Sequence, residues 1–71
     1  MTSVHVLITV GEVAELLTPR HTVAAPLRVS AERIAAQTGL PVNELPGREF
    51  TVTRLDDDDA DGFALVNDPR L

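Results

Sequence analysis

Val4-His5-Val6-Leu7-Ile8-Thr9-Val10-Gly11-Glu12-Val13-Ala14-Glu15-Leu16-Leu17 is dense in aliphatic residues on either side of a single glycine. Its first seven residues are dense in β-branched side chains and alternate only loosely, which predicts a strand over residues 4–10 with at least one fully buried face. Gly11 interrupts it. Val13, Leu16 and Leu17 then recur at helical spacing and predict one or two helical turns over residues 12–17, stopped before Pro19.

Downstream, residues 20–29 have strand composition in two pieces, and Pro26 prevents a regular central strand across the whole, so a strand broken at Pro26 is expected. Residues 30–38 carry helix punctuation: Ser30 to cap the free amides, Glu32 for the positive first turn, Gly39 for a left-handed end, with Ile34, Ala35 and Thr38 on one face. Pro41, Val42 and Leu45 predict a further single turn before Pro46-Gly47. Residues 49–55 alternate through Phe50 and Val52, and residues 63–66 offer a return strand, which makes the acidic run at 56–61 a hairpin tip. The expected fold class is α+β: a small antiparallel sheet from residues 4–10, part of 22–29, 49–55 and 63–66, one main helix, and one or two short helical turns. Residues 1–71 make a single domain.

The formal net charge of −5 lies entirely in the last sixteen residues. Residues 1–55 hold five arginines and five glutamates, whereas residues 56–71 hold six aspartates and Arg70 alone. A partner sensitive to charge would meet two different surfaces. A chain of 71 residues buries only about 60% of the surface exposed by its unfolded form. Cysteine is absent, which excludes disulfides, thiolate metal sites and a cysteine nucleophile. Phe50 and Phe63 are the only aromatics, so apolar support from a second copy, a homodimer, is expected. Neither a secretory leader nor a membrane-spanning run is evident, so a cytoplasmic protein with no membrane partner is expected. Arginine without lysine, with this Ala, Val and Asp usage, points to a GC-rich bacterial coding sequence.

Asp57-x-Asp59-x-Asp61-Gly62 reproduces the opening of a calcium loop of the EF-hand type, with the carbonyl of Phe63 at the seventh position and Asp68 at the twelfth. Alternating carboxylates would converge on a hard cation such as Ca²⁺. Against this, Ala64 replaces a branched aliphatic, the last ligand is Asp rather than bidentate Glu, and strands flank the loop. The competing reading is a solvated, charge-repelled tip.

Residues 34–45 have the small residue, turn glycine and closing apolar position of a helix-turn-helix, but Asn43 and Glu44 are poor readers of bases or phosphate. In another alignment, Thr9-Val10-Gly11-Glu12-Val13-Ala14-Glu15-Leu16-Leu17 resembles the first helix of excisionase-type winged-helix proteins. Arg20-His21-Thr22-Val23 is similar to a segment of their second helix, and Gly39-Leu40-Pro41 with residues 47–54 resembles their wing. That resemblance implies nucleic-acid binding, with Arg20, His21 and Thr22 in the major groove and Arg48 and Arg54 near phosphate.

No catalytic residue is identified: neither His5 nor His21 is spaced to pair with a nucleophile or a carboxylate, and Ser30 is explained by capping. Residues 4–10 would invite strand addition if they lay at a sheet edge, and would leave nothing open if central. The sequence therefore predicts a small non-catalytic regulatory or adaptor protein that acts through protein contacts and self-associates. A winged-helix-like DNA-binding regulator is the alternative, and a cation-binding acidic loop the second.

Overall fold

A computed structural model of the protein describes residues 2–66. The strands are β1 (Thr2–Val10), β2 (Val13–Leu17), β3 (Leu27–Ser30), β4 (Glu49–Val52), β5 (Arg54–Leu55), β6 (Ala60–Asp61) and β7 (Ala64–Leu65); α1 (Ala31–Thr38) and a 3-10 turn (Val42–Glu44) lie between β3 and β4. Five strands form one antiparallel sheet in the order β3-β2-β1-β4-β7, and β5 pairs with β6 as a separate ribbon. The fold is small and α+β, as the sequence predicts.

Residues 12–17 correct one expectation, because they form a strand and not a short helix. Gly11 stands at φ 59°, which allows a two-residue turn between the paired residues Val10 and Val13. Ala14 and Leu16, two apart, are fully buried, while Val13, Glu15 and Leu17 face the other way. The helical spacing loses because helices shorter than about 12–15 residues are marginal alone, whereas β1 gives this segment a ladder to complete. The helix implied there by the winged-helix resemblance is thus a hairpin arm.

Of the strand expected in two pieces about Pro26, only the downstream piece forms, and residues 20–25 make turns instead. β3 begins at the residue after Pro26, and upstream only the isolated bridges Thr18↔His21 and Thr22↔Ala25 form. β1 is shared between two partners: β4 pairs with Thr2–His5 on one side and β2 with His5–Val10 on the other, so the two ladders overlap at His5. Val6 follows, its N–H donating to the Arg48 carbonyl at 3.0 Å and its own carbonyl accepting from Gly47 at 2.8 Å.

Beyond Val6 the β1–β2 register slips. Val6 pairs with Leu16 and Ile8 with Glu15, which leaves Leu7 as an extra residue. Side chains alternate across a strand, so this single bulged residue reverses the facing of everything after it. Val4 and Val6 point into the core, whereas Ile8 and Val10 point out of the opposite face.

α1 covers the inner face. The Ser30 hydroxyl accepts from the Arg33 amide at 3.3 Å, and Gly39 in the left-handed region ends the helix, donating to the Ala35 carbonyl at 2.8 Å. Ala31 and Ile34 are buried with Val4, Val6, Ala14, Leu16, Leu27 and Val29 from the sheet. Leu45, following the predicted single turn, seals one end; the 3-10 turn Val42–Glu44 stands where the second helix of a helix-turn-helix would lie. Phe50 and Phe63 meet edge to face, centroids 6.4 Å apart and planes at 88°, which joins β4 to the segment leading into β7. The expected pairing of residues 49–55 with 63–66 is present but divided: β4 pairs with β7, and the β5–β6 ribbon carries the acidic tip between them.

Candidate interaction surface

The acidic run folds back onto the arginines of the body. Asp59 accepts from Arg33 at 2.8 Å and from Arg54 at 2.6 Å; Asp57 pairs with Arg20 at 3.0 Å, and Asp56 with Arg54 at 3.6 Å. Arg33 also donates to the Ala60 carbonyl at 3.1 Å, which ties α1 to the ribbon. His21 bridges the same loop, with Nδ1 2.7 Å from the Thr18 hydroxyl and Nε2 2.7 Å from the Asp57 carbonyl oxygen. The neutral body and the acidic run, expected from the sequence as two different surfaces, are joined here through Arg20, Arg33 and Arg54.

Asp61 is held by hydrogen bonds, with Arg33 and Arg54 acting on it only through their charge. Its Oδ1 accepts from the Gln37 amide at 2.8 Å and from the Gly62 amide at 2.9 Å, and these bonds, the Gln37 one foremost, hold its pKa below the usual carboxylate value. The same Gln37 side chain accepts from the Phe63 amide at 2.7 Å. Of the calcium-loop residues, Asp57, Asp59 and Asp61 are therefore each held by body side chains, and Asp68 lies outside the described residues. Among the described residues no group of three or more His, Asp or Glu side chains is placed to hold a metal ion.

The nucleic-acid candidates divide in the same way. Arg20, His21 and Arg54 are joined to the acidic loop, Arg48 pairs with Glu44 at 3.6 Å, and Thr22 is an exposed turn residue whose carbonyl accepts from Ala25. Each of the five described arginines has a carboxylate within 3.6 Å. Phosphate binding draws on cations available to displace counterions, and these cations already face carboxylates.

The apolar surface lies elsewhere. With α1 on the inner face, the outer face of the sheet is bare, and the Leu7 bulge places Ile8 (50% exposed) and Val10 (58%) there beside Val13 (37%). Val10 pairs directly with Val13 and Ile8 with Glu15, so the three aliphatics form one patch at the hairpin end. Glu15 is in turn opposite Arg28 of β3, and the two form an ion pair at 3.6 Å through Arg28 Nε. Val10, Val13, Glu15 and Arg28 line a shallow groove of about 210 Å³, with Ile8 standing beside it. A second shallow cleft, about 280 Å³, lies further along this face between His5, Leu17, Pro19 and Glu49.

Val10, Val13, Glu15 and Arg28 were not legible as a surface in the sequence, because the β-branched run of residues 4–10 carries no mark of where its facing reverses. Arg33 and Gln37 carried a readable signal: they are four apart on one helix, on a chain whose aspartates needed counter-charges.

No described helix is long and apolar enough to cross a membrane. Comparison of the chain with protein-family models, with curated proteins and with solved structures finds no match.

Proposed function

We propose that the protein is a small, cytoplasmic regulatory or adaptor protein that works by binding another protein through the outer face of its sheet, without catalysis. The observation that supports this most is the contiguous exposure of Ile8, Val10 and Val13 beside a groove, on a domain with a limited apolar core. Scattered exposed aliphatics need no explanation, but an apolar patch rimmed by a charged pair has the composition of an interface core with a polar rim. Nucleic-acid binding is the less supported reading, because the described arginines are engaged within the chain.

A photo-reactive amino acid placed at Val13, and separately at Arg48, which pairs with Glu44 and does not line the groove, as a control, tests the reading in cells of the native host. Protein adducts from position 13 and few from position 48 are the expected result. Adducts to nucleic acid, or protein adducts from position 48 alone, would overturn it.

A further inference from the structure

Resting on that reading, we infer that the occupant of the outer face is a second copy of this chain, docked about a two-fold axis so that Ile8 of each copy seats in the other's Val10–Val13–Arg28 groove. Three observations carry this. The first is shape: the patch holds a projecting side chain, Ile8, immediately beside a recess that Ile8 does not line. A knob and a hole side by side on one patch are self-complementary, since a two-fold rotation sets each knob over the other copy's hole.

The second is charge. Glu15 and Arg28 rim the same groove, so the patch carries one anion and one cation and meets its own rotated image with opposite signs. Arg28 is the most exposed of the described arginines: its side chain is 72% exposed, and its Nε lies 3.6 Å from Glu15. At 3.6 Å that contact is beyond hydrogen-bonding distance, and the exposed guanidinium fork suits the carboxylate of Glu15 in the other copy. An acidic or a basic partner would satisfy only half of this pair.

The third is size. The molecule measures 32 × 27 × 17 Å along its principal axes, and the sheet presents a broad side. A standard interface needs about 800 Å² from each partner, most of such a side, and the apolar patch supplies only its centre. The dimer is therefore weak and concentration-dependent. The proposed contact is face to face and not by strand addition: β1 is paired on both sides at His5 and Val6, with Thr2–Val4 pairing with β4 alone and Ile8–Val10 with β2 alone, while the free edge of β3 is guarded by Pro26 before it and Arg28 within it.

Sedimentation equilibrium of the purified protein from about 10 µM to about 1 mM, with concentration read by refractive index because Trp and Tyr are absent, should show a reversible dimer. Val10→Asp and Ile8→Asp, both at exposed positions, should each weaken it at least about tenfold while the thermal melt of the monomer is retained. The decisive arm uses Arg28→Glu and Glu15→Arg. Alone, each puts like charges across the two-fold axis and should be monomeric; mixed in equal amounts, they restore both opposite pairs between copies and should form a heterodimer. That recovery comes only from contacts between chains, since both variants carry like charges within the chain.

A wild type monomeric throughout this range, a dimer indifferent to Val10→Asp, or a mixture no more associated than its components would each overturn the inference. Monomeric purified protein together with adducts to a different protein from position 13 would overturn the second copy and leave the interaction face standing. No adduct from that position and no dimer would overturn both.

Discussion

Arg33 Nη1 and Asp59 Oδ1 lie 2.8 Å apart, and the same Nη1 reaches the Ala60 carbonyl at 3.1 Å, so one guanidinium fastens α1 to the acidic tip of the β5–β6 ribbon. Both side chains are about one-third exposed. The pair is thus less screened than Arg20–Asp57, whose side chains are 53% and 77% exposed. Arg33→Met should lower unfolding stability by about 1 kcal/mol. Arg20→Ala should cost less than about 0.5 kcal/mol. Urea unfolding of the two variants checks the order, and equal losses would place the clamp elsewhere.

Asp61 gives the protein an acid-sensitive contribution with a defined sign. Its pKa is lowered in the folded state, by the Gln37 amide first and the Gly62 amide next, from an ordinary value of 3.8. The stabilisation is therefore complete above the unfolded value and is lost as pH falls through the lower folded value. Asp61→Asn keeps an acceptor for Gln37 but removes the charge. The stability gap between wild type and Asp61→Asn should be present at pH 7 and shrink below about pH 4. Urea midpoints at the two pH values measure it, and an unchanged gap at low pH would contradict this account.

Gly62 holds the turn between β6 and Phe63 at φ 72°, and a Cβ added there would overlap Thr53 Oγ1. The Thr53 amide donates to the Asp61 carbonyl at 3.1 Å, so relieving the overlap also strains the ribbon's closure. Gly47, also at positive φ, has open space around the same added atom. Gly47→Ala should cost only the left-handed backbone penalty of about 1–2 kcal/mol. Gly62→Ala should cost distinctly more, about 3 kcal/mol or above, as read by thermal or urea melts. Equal costs would mean that Thr53 moves freely aside.

Local signals made α1 legible: Ser30, Gly39 and the spacing of its apolar residues agree with one another, and the element forms where they place it. The strand start after Pro26 and the acidic hairpin tip were legible for similar reasons, since proline and a charge run act on their own neighbours, whereas the strand composition before Pro26 gave only two isolated bridges. Residues 13–17 are ambiguous in sequence because this five-residue pattern satisfies both periods, and β1 decides between them across the turn. The outer face depended on the register slip at Leu7. Strict alternation puts Val4, Val6, Ile8 and Val10 on one side, and only the pairing with Glu15 and Leu16 shows that the last two are turned outward.

The ion pairs of the acidic loop also bear on calcium. Ca²⁺ takes six to eight oxygen ligands at about 2.3–2.6 Å. To recruit Asp57, Asp59 and Asp61 it must displace Arg20 from the first, Arg33 and Arg54 from the second, and the Gln37 amide from the third, while the displaced guanidiniums remain nearby. A site with Kd about 1 mM would add about 1 kcal/mol at about 5 mM Ca²⁺. The expected result is no rise in melting temperature over NaCl of equal ionic strength. Replacing Arg33 and Arg54 together with alanine leaves the Asp59 carboxylate without its two cations, so that variant should respond to Ca²⁺ more than the wild type does. A calcium-specific rise in the wild type would show that the aspartates exchange their arginines for a metal ion, and that the loop is a ligand site before it is a clamp.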